Sequence, residues 1–300
     1  YNNSPVMRHA FLIIAHNEPE ILAVLLRQLD APDFDVFLHI DARATAMRER
    51  FSSYKPSLGR YFLLEHPLAV CWGDISQMDV EMRLFRAAMQ QGRYAYCHLL
   101  SGVDLLLKSP QTLVAYFEEH AGREFVGFWN TPGHVRDLRR KVNRYYFFTR
   151  HLKDKGTWAH RLTAPCRNLA LLLQKMTGFK RRSAGYDFRK GSNWVSVTDA
   201  FCRYLIEQEP RLRARFRRTL CPDEIFLQTA LWNSPFRQNI YDAEGEDHER
   251  ATLRKIDWQR GSPYVWRADD ADELLNSSAF FARKFSSREM EAVRAIERAF

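Results

Sequence analysis

The residues best suited to chemistry by type and spacing are two neighbouring carboxylates in the stretch Cys221-Pro222-Asp223-Glu224-Ile225-Phe226-Leu227-Gln228-Thr229. The pattern predicts that they open an apolar helix: Pro222 suits a first helical position, and Asp223 and Glu224 suit the positive end of the helix dipole. A carboxylate half inside an apolar surface has its pKa raised towards neutrality, which a general base needs if it is to take a proton from a hydroxyl. Glu224 is therefore the candidate catalytic base. The competing reading, that both acids merely start a helix, stays open from this stretch alone.

The elements that would position such a site begin with Ala10 to Ala15, which reads as a fully buried strand. In His16-Asn17-Glu18-Pro19-Glu20, Asn17 can cap a helix and Glu20 can complete a capping box. Leu22, Leu25, Leu26 and Leu29 then recur at helical spacing, and Val36 to Asp41 gives a second strand. This β-α-β start implies a parallel sheet, in which ligands bind beyond the carboxyl ends of the strands. His16 and Asp41 therefore point to a nucleotide-sized crevice, with Asp41 suited to a ribose or uracil; a plain turn acid is the alternative. Arg60 to Glu65 makes a third strand. Trp72-Gly73-Asp74 leads into a helix with Met78, Met82, Phe85 and Met89 on one face, and Tyr94 to Leu100 runs to Asp104 near a strand end. Ser109-Pro110 opens a further helix, and Glu124 to Trp129 reads as one more strand, about five before residue 130. No GxGxxG or GxxxxGK[ST] occurs at the first turn, so phosphates must be held by other means.

From Thr131 to Lys190 the chain is basic and aromatic. Between Arg136 and Lys190 there are 16 Lys/Arg against Asp137, Asp154 and Asp187, a local +13 in a chain of net +9. Such a face suits a nucleotide-linked donor, an acidic acceptor, a membrane surface or nucleic acid. Arg144-Tyr145-Tyr146-Phe147-Phe148, a helix around Leu169 to Leu173 and the loop Lys180-Arg181-Arg182 could frame an acceptor site. Basic residues among aromatics also suit single-stranded nucleic acid, but no RNA-binding signature or zinc-finger spacing accompanies them. Beyond this region come a strand from Trp194 to Val197 and a helix from Thr198-Asp199. A terminal helix follows, boxed by Ser286 and Glu289, with Met290, Val293, Ile296 and Phe300 in one stripe.

Three hundred residues, 46% of them hydrophobic, can bury one large core and exclude a disordered class. The expectation is a single domain, with a nucleotide-binding half at about 8–130 and an acceptor-binding and catalytic half at about 131–300. Five cysteines without a CxxC pair suggest free thiols in a reducing compartment and no structural zinc. The longest apolar runs are too short to span a bilayer. A cytoplasmic protein is expected, with peripheral contact at the inner face of the membrane through the basic region as a further option.

Several of these stretches together resemble the core-2/I-branching β-1,6-N-acetylglucosaminyltransferase family, which includes the peptide O-xylosyltransferases, and its bacterial members in particular. They are Ile13-Ile14-Ala15-His16-Asn17, Phe37-Leu38-His39-Ile40-Asp41, His98-Leu99-Leu100-Ser101-Gly102-Val103-Asp104, Gly191-Ser192-Asn193-Trp194, Pro222-Asp223-Glu224-Ile225-Phe226, Ile256-Asp257-Trp258 with Arg260-Gly261-Ser262-Pro263, and Phe281-Ala282-Arg283-Lys284-Phe285. Each motif alone is weak; their order and spacing are specific. The resemblance implies an inverting glycosyltransferase of GT-A-like fold, with a Rossmann-like, mainly parallel sheet flanked by helices. It implies a UDP-sugar donor carrying N-acetylglucosamine or xylose, a glycan, lipid-linked or peptide acceptor, a role in bacterial glycan or polysaccharide assembly, and no obligatory divalent metal.

By the same resemblance Glu224 falls on the catalytic base, Asp41 on a donor nucleoside contact and Lys284 on a diphosphate-binding lysine. The diphosphate arginine is assigned to Arg260, with Arg254 and Arg267 as alternatives. His16 and Asp104 are further candidate donor contacts, and Trp129, Tyr145 and Trp194 candidate acceptor contacts. Departure of UDP builds charge on a phosphate that must be met by a metal or by fixed cations. DxD strings occur as Asp33-Phe34-Asp35 and Asp270-Ala271-Asp272, but neither is placed at the end of a central strand. Side-chain cations are therefore expected in the metal's place. The rival classes are a nucleic-acid or anionic-surface binding module and a scaffold without activity.

Overall fold

Near-continuous apolar runs, not alternating ones, make the first strands, as a parallel sheet covered on both faces requires. A computed structural model describes residues 8–244 and 248–299. Along the chain run β1 (His9–Ala15), α1 (Pro19–Gln28), β2 (Phe34–Ile40), α2 (Thr45–Ser52), β3 (Arg60–Leu63), α3 (Ile75–Gln91), β4 (Tyr96–Ser101), β5 (Leu105–Leu106) and α4 (Pro110–Glu119). Then come α5 (Pro132–Val142), α6 (Trp158–Met176), β6 (Ser196–Thr198), α7 (Asp199–Phe216), α8 (Phe226–Trp232), α9 (His248–Thr252), β7 (Arg254–Ile256), α10 (Ala271–Leu275), β8 (Phe281–Arg283) and α11 (Met290–Glu297).

The central sheet has the order β3-β2-β1-β4-β6 and is parallel except for β6, which runs antiparallel to β4. A small second sheet, β5-β8-β7, carries the last strand back beside the first half of the chain. Alternation along β1 feeds two cores. Phe11 and Ile13 meet α1, Trp266, Phe281 and α11, while Ala10 and Leu12 meet Met78, Met82 and Phe85 of α3 and Phe201 and Phe226 of α7 and α8. The fold is thus α/β, with a mainly parallel sheet flanked by helices.

Three local expectations are corrected. Asn17 does not cap α1: Glu18 occupies the cap with φ 54°, and its carboxylate instead accepts from Ser286 Oγ and Ser287 N, both at 2.8 Å. Glu124 to Trp129 forms only isolated bridges, Glu124 to Ile240 and Phe125 to Ser196, because β6 already takes the place beside β4. The fifth strand of the central sheet therefore comes from residue 196 onward. Ser109 and Thr198 do cap α4 and α7. Ser286 caps a 3-10 turn at Ser287–Glu289 that precedes α11, in which Val293 and Ile296 are buried; Phe300 lies outside the described residues. Among the described residues no helix is long and apolar enough to cross a membrane.

Candidate active site

The carboxyl ends of β1 and β2 deliver His16 and Asp41 to one trough. Asp41 is buried and accepts from Arg43 Nε (2.8 Å), Arg43 Nη2 (2.9 Å), and the backbone N–H groups of Arg43 and Val70 (2.9 Å each). Burial pushes its carboxyl up, but these hydrogen bonds outweigh burial and hold it at about 2, so it is ionised at any neutral pH. It lies in a cleft of ≈ 400 Å³ with His16, Trp72, Gln77, Arg150 and Lys153. His16 also borders a second cleft, of ≈ 480 Å³, whose cations are Arg283, Lys284 and Arg288. Lys284 has no carboxylate partner among the described residues. One end of the trough thus holds the Asp41–Arg43 pair and backbone edges, with Arg150 and Lys153 beside them, and the other holds Arg283, Lys284 and Arg288 with Glu18 and Glu289.

Two donor-contact candidates belong elsewhere. Asp104 is buried beneath the trough, where its Oδ2 accepts from Ser101 N (2.9 Å) and its Oδ1 lies 3.4 Å from Arg283 Nε; it steadies an arginine and touches no cleft. Arg260 is bound by Asp257, by Asp270 (2.8 Å) and by Glu273 (3.1 Å), and is absent from the trough walls. Its alternatives fare no better: Arg254 is fully buried and spends its donors on Ser196 Oγ (2.9 Å) and the carbonyls of Val195 (2.6 Å), Thr252 and Leu99, while exposed Arg267 only approaches Glu289 at 4.0 Å. The arginines beside Lys284 in the second cleft are Arg283 and Arg288. Arg283 was within sight, as the neighbour of Lys284 in a motif already singled out.

Glu224 sits on a 3-10 turn, Pro222–Glu224, entered through Cys221 at φ 47°, and α8 starts only at Phe226. The two acids therefore precede the apolar helix instead of forming its first turn. The half-buried Glu224 carboxylate faces ammonium groups and not an apolar surface: Oε2 lies 3.1 Å from Lys141 Nζ and 3.2 Å from Lys190 Nζ. Both lysines are buried, and both also reach Asp137 Oδ2, at 3.0 and 2.6 Å. Burial pushes the Asp137 carboxyl up, but the two lysines overcome it and hold it well below the usual range.

The Asp223 carboxyl is raised to about 7, by burial and then by the charge of Glu224. Its Oδ2 accepts from Gln77 Nε2 (2.9 Å) and its buried Oδ1 has no hydrogen-bond partner among the described residues. Behind it, buried Glu81 accepts from Asn193 Nδ2 (3.1 Å) and is also pushed up, by burial and by Asp223. Gln77 lines the Asp41 cleft, so a single side chain separates that cleft from Asp223 and the turn that carries Glu224. Gly191 fixes the turn from the other side, donating its N–H to Glu224 O (2.9 Å); a Cβ there would stand 1.8 Å from Gly127 O, so the close backbone approach requires glycine.

Asp223 gives a pH prediction. Folded Asp223 holds a proton up to about 7, whereas the unfolded chain releases it near 3.8, so its contribution is fully present below 3.8 and is lost as pH rises towards 7. Asp223→Asn should flatten this loss, and relative to the parent should gain on the order of 1–3 kcal/mol at mildly alkaline pH. Thermal unfolding from acid to alkaline pH measures it; parallel curves for parent and variant would refute the assignment.

Of the acceptor candidates, Trp129 stands beside the Glu224 cluster: Lys190 Nζ lies 5.2 Å from its ring centroid, and its ring stacks on His134 at 4.9 Å. Trp194 has the Arg283 guanidinium over its ring at 4.2 Å, so that face adjoins the cleft that Arg283 lines. Tyr145 is not at the site; it packs under Arg181 (4.5 Å) in a separate cleft. Sequence reasoning missed Lys141, Lys190 and Asp137, which lay within the basic span but carried no motif of their own. Neither DxD string faces the trough: Asp35 is buried between Arg8, Arg60 and Tyr94 Oη, and Asp270 is held by Arg260 and Arg267 N. Among the described residues no group of three or more His, Cys, Asp or Glu is placed to hold a metal ion.

The family model described as Core-2/I-Branching enzyme matches residues 9–276. The chain is 24% identical over 306 residues to xylosyltransferase 2 of Rattus norvegicus, covering 95% of this chain and 32% of that protein. It is 25% identical over 282 residues to xylosyltransferase oxt of Drosophila melanogaster, covering 87% of this chain and 30% of that protein. The chain therefore spans about a third of the length of these relatives. Among solved structures it aligns with mouse xyloside xylosyltransferase 1, apo form, at a TM-score of 0.41 and 12% identity over 95% of this chain and 99% of that one. With the family match running from β1 through α10, and so taking in His16, Asp41 and the Glu224 turn, the chain belongs to the Core-2/I-branching enzyme family.

Proposed function

We propose that this chain transfers a sugar from a UDP-sugar to an acceptor hydroxyl in one inverting displacement. The observation that carries the reading is the two-ended trough: the Asp41 carboxylate with its backbone neighbours suits a nucleoside, and Arg283, Lys284 and Arg288 suit a diphosphate. The acceptor oxygen attacks the anomeric carbon while the bond to the diphosphate oxygen breaks, and UDP leaves with that electron pair. Glu224 takes the hydroxyl proton. Lys141 and Lys190 fix its direction, and Trp129 lies on the side from which the acceptor would enter. Negative charge on the departing phosphate meets fixed cations, which need no reorganisation as the bond breaks.

The names of the relatives put UDP-xylose first among donors, with UDP-N-acetylglucosamine second; a glycan, lipid-linked or peptide hydroxyl is the acceptor class. The test is a screen of UDP-sugars by thermal shift and by hydrolysis or transfer, in which one UDP-sugar should raise the Tm and be turned over. No shift and no turnover with any of them would end the transferase reading. If side-chain cations carry the diphosphate, EDTA should leave the rate within about twofold of its starting value. A rate that collapses in chelator and returns with Mn²⁺ would replace this clamp with a metal.

A further inference from the structure

Helix α6 is turned inside out. Trp158, Leu162, Leu169, Leu172, Leu173 and Met176 are each 50–76% exposed, while the one buried residue of the helix is Arg167. At about 100° per residue the six fall within a sector of about 100°, the width of the stripe that a surface helix normally gives to its core. Phe179, 44% exposed, extends the patch past the helix end. Seven large apolar side chains in one continuous strip far exceed the scattered exposure usual on a soluble surface.

The surroundings say what covers the strip. Exposed Lys153 and Lys155 precede α6, Arg161 and Lys175 flank the stripe, and Lys180 and Arg182 follow; Asp154 is the only acid between residues 138 and 186. Beside the last turn opens a cleft of ≈ 610 Å³ lined by Phe179, Lys180, Arg182 and the buried Arg181 and Arg215. Arg215 Nε and Nη1 are buried there without hydrogen-bond partners among the described residues, donors that a phosphate oxygen would satisfy. A second copy of this chain would bring one +13 span against another, which opposes pairing through this face. An apolar stripe bordered by cations matches the layering of an anionic bilayer, acyl chains beneath phosphates.

We propose that α6 is an interfacial helix, its stripe set among the headgroups and upper acyl chains of an anionic membrane, with the flanking cations and the Arg181–Arg215 cleft on lipid phosphates. The proposal is independent of the transferase reading, since it needs no sugar nucleotide. Co-sedimentation of the full chain with phosphatidylcholine–phosphatidylglycerol vesicles should show binding that is weaker by at least tenfold on pure phosphatidylcholine and falls steeply with added salt. Leu169→Glu with Leu172→Glu should reduce partition at least tenfold at unchanged circular dichroism and Tm, because neither side chain supports the core. Brominated lipid should quench tryptophan fluorescence, less so in Trp158→Phe. Failure to bind anionic vesicles, equal binding by the double variant, or a lipid-independent dimer that the double variant dissolves would each overturn the proposal.

Discussion

Glu224→Gln is expected to lower kcat by at least a hundredfold while UDP binds as before. A general base contributes roughly 10²–10⁴-fold, or about 2.7–5.4 kcal/mol of barrier, and the amide keeps the shape while removing the proton acceptor. The fold should also weaken more than loss of a helix-start acid would suggest. Lys141 and Lys190 are buried and keep only Asp137 when Glu224 loses its charge, so the cost is about 1.5–3 kcal/mol, the range for hydrogen bonds to charged groups. Single-turnover transfer, UDP titration calorimetry and thermal unfolding separate the three quantities. Asp223→Asn should leave kcat within about tenfold, because Asp223 is buried behind Gln77 and faces no cleft directly. If instead the Glu224 variant transfers at the parent rate and the Asp223 variant is dead, Asp223 is the base; if both are active, the base lies elsewhere.

Lys284→Ala should weaken UDP binding by about 1.5–3 kcal/mol, roughly 10- to 150-fold, since one charge-assisted contact to the diphosphate is lost. Its side chain lines the trough and is committed to no acid, so the fold should be unaffected. Arg288→Ala tests a second cation with similar freedom. Arg283→Ala is less clean: it leaves the Asp104 carboxylate buried without its ion-pair partner and uncovers Trp194, so stability falls along with affinity. Arg260→Ala should leave UDP affinity unchanged, the reverse of what its motif suggested, because three acids already hold it. Parent-like UDP affinity in the Lys284 variant would remove the diphosphate role from that residue.

The strands of the β-α-β start were legible because their apolar runs are long, continuous and bounded by Asn, Asp and Pro; β1, β2 and β3 begin or end within two residues of where the pattern places them. The Met78-Met82-Phe85 face of α3 was legible for the same kind of reason, one period sustained over four turns. Glu124 to Trp129 was not, since an apolar run records burial and not whether a neighbouring strand is free to pair. At the site, Asp41 and Lys284 stand at the trough because strand ends and motif position are local properties. The partners of Glu224 are not local: Lys141 comes from the last turn of α5 and Lys190 from the loop before Gly191, and nothing in Pro222-Asp223-Glu224 announces either. Arg260 shows the converse failure, for a motif names a residue without saying which acids have already taken its donors.

The antiparallel seat of β6 has a consequence for how the chain is made. β4 ends at Ser101 and its partner begins at Ser196, about 95 residues later. At roughly 5–20 residues per second of synthesis, the β4 edge waits about 5–20 s before the strand that covers it exists. During that interval Cys97, Leu99 and the rest of an apolar strand present unpaired N–H and C=O groups, a template for any other extended segment. A nascent chain of this topology therefore depends on chaperone cover or on the surface of the ribosome until residue 198 emerges, and a fragment stopped near residue 130 would be expected to aggregate instead of folding as a half.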